Sequence, residues 1–216
     1  MINMDKYREN FKPFIVKALK YIPEVDKPEI LDVGCGTGVP TIILAELTEG
    51  NITGVDIDNE ALEILESRII DKGLEKRVST VNCSMSKMKF PENSFDIIWA
   101  EGSIAAMGFK KGLIAWNPFL KMNGYLVIHD DSVDFDTKVD SIPGCGFKLI
   151  SHFFISKETW WELYYDHLEA ELNKKYFIKN IKPDEDGKKL INELNIFRKD
   201  PLKFSSVYFI MQKISD

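Results

Sequence analysis

A short apolar segment that leads directly into three closely spaced glycines constrains the fold of this chain more than any other feature. Residues 29–33 (EILDV) have the pattern of a buried strand, residues 34–38 (GCGTG) follow at once, and residues 39–47 (VPTIILAEL) have the pattern of a helix. Glycine permits a sharp turn and lets a ligand touch the main chain, and a helix N-terminus directs N–H groups at that ligand. The segment predicts a strand–loop–helix unit with a ligand site at the loop, the alternative being a glycine turn without a ligand.

The spacing of the glycines discriminates between possible ligands. A dinucleotide loop has the pattern GxGxxG, whereas Gly34, Gly36 and Gly38 follow GxGxG, with Asp32 two residues ahead of the first. A carboxylate at that position would repel a pyrophosphate, but it suits a zwitterion with an ammonium and a sulfonium group. The spacing therefore argues against a dehydrogenase that binds NAD.

Strands and helices continue to alternate along the chain, which predicts parallel βαβ units and a doubly wound α/β sheet. The further strands are predicted at 51–55, 77–82, 94–99 and 125–129, and the helices at 5–21, 59–72 and about 110–120, the last ending before an Asn123–Gly124 turn. Two more strand candidates, 146–156 and 205–213, enclose 48 residues with helical character. We expect one domain over residues 1–216, with an N-terminal helical cover (1–24) and a helical insertion (157–204).

These motifs resemble the class I S-adenosylmethionine (SAM)-dependent methyltransferases of the small-molecule type. The family's first motif, acid-x-Gly-x-Gly-x-Gly after the first strand, is matched by residues 32–38. The resemblance implies a seven-stranded, mostly parallel sheet of order 3-2-1-4-5-7-6 with an antiparallel seventh strand. It also implies SAM as cofactor, S-adenosylhomocysteine as product, and in-line methyl transfer to a small molecule whose identity stays open.

The resemblance also assigns cofactor-binding residues beyond Asp32 and the three glycines. Asp56, at the end of the second strand, matches the carboxylate that accepts both ribose hydroxyls, while Asp58 is the better helix cap than Asp56, and Asn59 is a further cap candidate. The remaining assigned positions are Ile57 on the adenine face, Ser84 and Met85 at the adenine edge, where many members have an acid in place of the serine, and Glu101 at the methionine end.

Candidate catalytic residues follow the carboxyl ends of the fourth and fifth strands, where ligands bind in open α/β sheets. They are Glu101, His129 and Asp130, with Asp131 beside them. Each has a plainer alternative: Glu101 as the ligand of the SAM ammonium, the aspartates as a helix cap, and His129 as a packed side chain. Methyl transfer from SAM depends mainly on alignment and desolvation, so it does not require a fixed base.

The insertion begins with an aromatic stripe at helical spacing, formed by Trp160, Trp161, Tyr164 and Tyr165. We expect these side chains to wall the acceptor pocket beside Glu101, because long ordered loops in compact domains are usually functional. Two alternatives are that the stripe only packs the insertion onto the sheet, or that it forms a homodimer interface.

Charge and composition bear on partners and location. The net charge of −6 argues against nucleic acid and anionic membranes as partners, and no apolar run approaches the roughly 18 residues of a membrane span. Three widely spaced cysteines fit a reducing cytoplasm, and the histidines lack metal-ligand spacing, so no metal is expected. A SAM-binding or scaffold protein without catalysis is the alternative to an enzyme.

Overall fold

A computed structural model describes residues 2–215 of the chain as one seven-stranded sheet with helices on both faces. The strand order β3-β2-β1-β4-β5-β7-β6 confirms the predicted order. The strands are β1 (Glu29–Val33), β2 (Asn51–Asp56), β3 (Val78–Asn82), β4 (Phe95–Glu101), β5 (Leu120–Asp131), β6 (Phe147–Ile155) and β7 (Ser206–Lys213).

The pairing of the strands determines where a ligand site can form. Strands β1 to β5 are mutually parallel where they pair, and β7 pairs antiparallel with both β5 and β6, as predicted. The carboxyl ends of β1, β2, β4 and β5 therefore share one edge of the sheet with the start of β7. β1 and β4 lie side by side although α3, β2 and β3 separate them in sequence, and this reversal of strand order opens the crevice in which such sheets bind ligands.

Helices cover the two faces of the sheet, and the core is divided into two apolar clusters, one on each face. The helices are α1 (Asp5–Arg8), α2 (Lys12–Leu19), α3 (Val39–Leu47), α4 (Asn59–Asp71), α5 (Phe109–Trp116), α6 (Phe135–Ser141), α7 (Lys157–Trp160), α8 (Asp166–Leu172) and α9 (Glu185–Lys199). π-helical turns at Trp161–Tyr165 and Asn173–Phe177 continue α7 and α8. None of the helices among residues 2–215 is long and apolar enough to cross a membrane.

Two local predictions differ from the structure. The N-terminal helix is interrupted by a 3₁₀ turn at Glu9–Phe11, and α2 begins just before Pro13, which lacks an N–H and suits a first helical turn. The Asn123–Gly124 turn lies inside β5: Asn123 adopts a left-handed φ of 65°, and the pairing with β4 shifts register there instead of ending. Asn tolerates this conformation better than most residues, so the strand continues through a kink.

The inserted segment between β6 and β7 packs against the N-terminal helices. Tyr7 stacks on His167 with ring centroids 4.5 Å apart, and its hydroxyl donates a 2.9 Å hydrogen bond to Glu171. The Asn10 side chain donates to the Leu163 carbonyl at 2.9 Å. The N-terminal helices and the insertion thus form one cover over the carboxyl edge of the sheet.

Candidate functional site

The three positions in the loop between β1 and α3 require or permit glycine for different structural reasons. All three have positive φ, at 73° for Gly34, 52° for Gly36 and 81° for Gly38. A Cβ at Gly34 would lie 2.3 Å from Ser103, and one at Gly38 would lie 2.1 Å from Leu65, so both are required for packing. A Cβ at Gly36 would meet nothing within 4 Å. Gly36 is therefore the glycine whose open side is available to a ligand.

Asp56 joins the end of β2 to this loop. Its Oδ2 accepts a 2.8 Å hydrogen bond from the Gly36 N–H and its Oδ1 accepts from the Asp58 N–H at 2.9 Å. Asp58, rather than Asn59, caps α4 by accepting from Glu60 and Ala61. Two carboxylate oxygens offer about four acceptor sites, so Asp56 retains capacity for two further donors. Ile57 next to it is 72% exposed, an apolar surface without cover from the described chain.

Asp32 lies behind the loop, outside the cavity wall. Its carboxyl group is 1% exposed and accepts a 2.6 Å hydrogen bond from Thr41 of α3. Burial raises the pKa of Asp32 to about 7, against the Thr41 hydrogen bond, which lowers it. In this structure Asp32 anchors α3 beneath the loop, and its predicted contact with an ammonium group stays a prediction.

Ser84 and Met85 follow β3 at the rim of the site. The Ser84 hydroxyl hydrogen-bonds to Ser86 at 3.0 Å, so its side chain is engaged locally. The Met85 side chain lies beside Gly34, and its carbonyl accepts a 3.4 Å hydrogen bond from the Trp116 indole. The predicted adenine contacts of both residues stay predictions.

A cavity of about 450 Å³ extends from the glycine loop to the cover. Gly34 and Gly36 line one end, Glu101 and His129 the middle, and Glu193 of α9 the opposite side. Aromatic side chains from the N-terminal helices and from the insertion form much of the remaining wall: Phe11, Trp160, Tyr164, Tyr165 and Phe204.

Glu101 presents a carboxylate to the middle of the cavity. Its Oε1 accepts two 2.8 Å hydrogen bonds, from the Trp99 indole and the Tyr208 hydroxyl. Its Oε2 lies 4.0 Å from His129 Nδ1. Burial raises the pKa of Glu101 to about 7, although both hydrogen bonds oppose the shift. The group is thus held by hydrogen bonds on one oxygen, while the other oxygen accepts none from the described residues.

His129 is packed and hydrogen-bonded in a way that disfavours a role as base. Its ring stacks on Tyr208 with centroids 4.3 Å apart, and its Nε2 lies 2.7 Å from Ser206 Oγ, which also accepts a 2.8 Å hydrogen bond from the Trp160 indole. Ser206 Oγ thus hydrogen-bonds both the Trp160 indole and the imidazole, which holds the His129 ring in place. Burial lowers the pKa of His129 to about 3, so the ring is neutral near pH 7.

The aspartate pair after β5 is neutralised by a lysine. Lys138 of α6 lies 2.7 Å from Asp130 and 2.9 Å from Asp131. Asp130 is also only 6% exposed. Of the three predicted catalytic candidates, Glu101 is therefore the one whose carboxylate faces the cavity without a lysine or arginine partner.

Comparison with known proteins agrees with this geometry. Residues 30–124 match a family model described as a methyltransferase domain. A 79-residue segment is 37% identical to the methyltransferase GfsG of Streptomyces halstedii, covering 37% of this chain and 28% of that protein. A 75-residue segment is 36% identical to the sterol 24-C-methyltransferase ERG6A of Gibberella zeae, covering 35% of this chain and 20% of that protein. The chain thus spans well under half the length of these relatives.

Residues 30–124, less than half of the chain, are thus similar to a methyltransferase domain. Two solved structures share the fold of the chain over 95% of its length: the [4+2]-cyclase SpnF (TM-score 0.78, 19% identity, 82% of that chain covered) and phosphoethanolamine N-methyltransferase 2 of Haemonchus contortus in complex with SAM (TM-score 0.72, 18% identity, 53% covered). At these identities the likeness concerns the fold.

The aromatic stripe of the insertion faces the interior of its own chain. Trp160, Tyr164 and Tyr165 line the cavity, whereas Trp161 lies outside its wall and stacks on Phe197 at 5.8 Å. Tyr164 and Tyr165 are 2% and 3% exposed, which leaves them little surface for a partner protein. The stripe both packs the insertion and forms pocket wall, so the geometry favours the pocket reading over the homodimer reading.

Several residues that line the cavity were not indicated by the sequence patterns. Ser206 and Tyr208 belong to β7, and their strand pattern predicted only burial. Arg8 and Glu193 come from opposite ends of the chain, 185 residues apart in number, and both line the cavity. No local motif contains them, although Glu193 is an acidic residue between Ile191 and Leu194 on a helix and could have been noted for that reason.

Proposed function

We propose that this protein transfers a methyl group from SAM to a small molecule bound under the cover formed by the N-terminal helices and the insertion. One observation carries the proposal: the open face of Gly36, beside the Asp56 carboxylate, belongs to the same cavity as Glu101 and the aromatic wall. A cofactor on the loop and an acceptor under the cover would therefore meet in one enclosed space.

The residues present fit SAM at each of its parts. Asp56 has two oxygens for the ribose hydroxyls, and Ile57 offers an exposed apolar face for the adenine ring. Oε2 of Glu101 suits the ammonium group of the methionine part of SAM. We prefer Glu101 to Asp32 for this role because Asp32 is buried against Thr41. S-adenosylhomocysteine retains all three parts and should bind the same residues.

Bound SAM supplies an electrophilic methyl group, so the protein's contribution is alignment and the exclusion of water. The aromatic wall excludes water from the middle of the cavity, and the fixed hydrogen bonds of Glu101 hold its charge at one place. His129 supports this arrangement as a neutral spacer between Ser206 and Glu101, and Asp130 remains paired with Lys138.

Binding measurements test the cofactor assignment. We expect calorimetric titration to show binding of SAM and S-adenosylhomocysteine but not of NAD. Asp56→Ala should weaken S-adenosylhomocysteine binding on the order of tenfold or more, because it removes charge-assisted hydrogen bonds of about 1.5–3 kcal/mol. The matched variant Asp58→Ala should lose about 1 kcal/mol of stability with its helix cap, yet bind normally. Equal affinity in both variants would place the ribose elsewhere.

A second candidate function is SAM binding without methyl transfer. It is favoured by the lack of a free base at His129 and Asp130, and by the name of one fold relative, a [4+2]-cyclase. A screen for S-adenosylhomocysteine formation across amines, phenols, thiols and carboxylates separates the two. Tight SAM binding with no turnover on any class would support the second candidate.

A further inference from the structure

The charged side chains that line the cavity are unequally paired. The cations each have an acidic partner, with Arg8 3.6 Å from Asp5 and Lys203 3.2 Å from Asp200. Glu101 has only the neutral His129 ring beside it at 4.0 Å. Glu193 forms no ion pair with any residue in the described range 2–215, although the charge of Arg8 acts on it. The cavity therefore holds two carboxylates that form no salt bridge with a lysine or arginine of residues 2–215, and Arg8 acts on Glu193 from beyond ion-pair distance.

The surroundings of Glu193 suit a positively charged group. Glu193 interacts with the hydroxyl groups of Tyr164 and Tyr165, and burial raises the pKa of its carboxyl group above the ordinary value. Trp160 stands beside Tyr164, with ring centroids 6.2 Å apart, and Phe11 packs on Trp160 at 4.4 Å. Aromatic faces attract cations, and most strongly where water is excluded. Arg8 and Lys203 also line the cavity, but each already lies beside an aspartate, so the two glutamates favour a cationic ligand over an anionic one.

We propose that the methyl acceptor carries an ammonium group, and that Glu193, within the wall formed by Trp160, Tyr164 and Tyr165, binds that group. Glu101 is reserved for the ammonium of SAM, so each carboxylate has its own cation. The inference rests on the proposed function, because it concerns the second ligand of the same cavity. The proposal restricts the acceptor to molecules that bear an amine. The group of the acceptor that the cavity recognises is then neither a carboxylate nor a phosphate.

Three probes that share one aromatic ring but differ in charge test the proposal: benzylamine as the cation, benzyl alcohol as the neutral compound and benzoate as the anion. The full chain is saturated with S-adenosylhomocysteine, and each probe is titrated while the tryptophan indole ¹H–¹⁵N signals are followed. We expect benzylamine to bind on the order of tenfold more tightly than benzyl alcohol, because it forms a charge-assisted contact. Benzoate should bind most weakly.

Two variants on the same helix locate the effect. Glu193→Gln should remove the preference for benzylamine, while Glu185→Gln should keep it, because the Glu185 side chain is 82% exposed and pairs with Lys188. Tyr165→Phe, which deletes one hydroxyl beside Glu193, should reduce the preference without the loss of a charge. S-adenosylhomocysteine affinity in each variant shows whether the fold is intact.

Three results would overturn the inference: equal binding of alcohol and amine, a full amine preference in Glu193→Gln, or no binding of benzylamine. Each of them leaves the proposed function standing as long as S-adenosylhomocysteine binds. Loss of S-adenosylhomocysteine binding in the unaltered protein would instead refute the proposed function itself.

Discussion

The proposed cofactor side and the proposed acceptor side of the cavity are built in different ways. The cofactor side uses main-chain geometry in one continuous segment, residues 32–38, joined to Asp56 by a hydrogen bond across 20 positions. The acceptor side is assembled from single side chains of the N-terminal helices, β4, β5, the insertion and β7. Glu101 and Tyr208, which touch there at 2.8 Å, are 107 positions apart.

This difference shows why the two sides respond differently to substitution. A main-chain site depends on backbone conformation, so a single added side chain can close it. A site of separate side chains loses one contact at a time, and the other contacts persist. The comparison therefore predicts large effects on cofactor binding from the loop and graded effects on acceptor binding from the cover.

The largest effect is expected for Gly36→Val. Valine disfavours the φ of 52° and would place branched carbons in the space that faces the ligand. We expect S-adenosylhomocysteine affinity to fall on the order of a hundredfold, because the branched side chain would overpack the space that faces the ligand. Calorimetric titration measures it.

Gly73→Val is the matched control for that substitution. Gly73 also has a positive φ, 65°, with nothing within 4 Å of its added Cβ, but it lies after α4 and away from the cavity wall. It should lose similar stability in thermal unfolding and bind normally. A normal affinity for Gly36→Val would mean that the loop does not contact the cofactor through its open face.

An intermediate effect is expected for Glu101→Gln. Loss of the charge should weaken S-adenosylhomocysteine binding on the order of tenfold at pH 8. In the unaltered protein this affinity should rise as pH increases through about 7, the value to which burial raises the pKa of Glu101. Ionisation of Glu101 produces the carboxylate that binds the ammonium group of the ligand. The variant should lack this rise over the same pH range. A parallel profile in both proteins would reject Glu101 as the ammonium ligand.

The same group makes stability depend on pH without ligand. Because burial raises the pKa of Glu101 above its unfolded value, the folded state binds more protons between about pH 4.5 and 7. Stability contributed by the protonated carboxyl is therefore lost as pH rises through this range. The thermal unfolding temperature of Glu101→Gln, relative to that of the unaltered protein, should therefore increase between about pH 4.5 and 7. Above about pH 7 the difference should stay constant.

The smallest effect is expected for Trp160→Phe, in the cover. Phenylalanine keeps an aromatic wall but loses the 2.8 Å hydrogen bond to Ser206, a change of about 1 kcal/mol. That loss lowers the stability of the fold, whereas the smaller aromatic face of phenylalanine should weaken benzylamine binding about threefold, with S-adenosylhomocysteine affinity unchanged. Trp161→Phe, which alters the neighbour stacked on Phe197 outside the wall, should leave both affinities unaltered. Equal losses in the two variants would mean that the stripe acts only in packing.

The fold was predictable because its information is local. Strands β1, β2, β3 and β7 begin within about one residue of their predicted starts, because apolar runs between glycines and polar turns specify buried strands. The kink at Asn123 was missed because a left-handed residue inside a strand has the same sequence pattern as a turn. The interrupted N-terminal helix was missed because Pro13 is compatible with either a continued or a new helix start.

The site was predictable only where it follows the backbone. Spacing predicted the turn at the loop glycines, and the family resemblance placed Asp56 at the end of the second strand, whereas the burial of Asp32 against Thr41 depends on how α3 packs and has no local pattern. The position of Glu101 at this edge could be predicted because it ends a strand, and its role stays a prediction. The pairing of Asp130 with Lys138 and of His129 with Ser206 joins segments distant in sequence, and such contacts need the three-dimensional arrangement.

The antiparallel entry of β7 between β5 and β6 has a consequence for evolution and design. Ile155, the last residue of β6, pairs directly with Ser206, the first of β7, so the insertion leaves and re-enters the sheet at neighbouring points. Cross-strand neighbours lie only about 5 Å apart, a gap that a short turn or a long lobe can bridge equally well. The lobe is thus an exchangeable module: replacing it should change which acceptor is recognised while the cofactor half remains as it is.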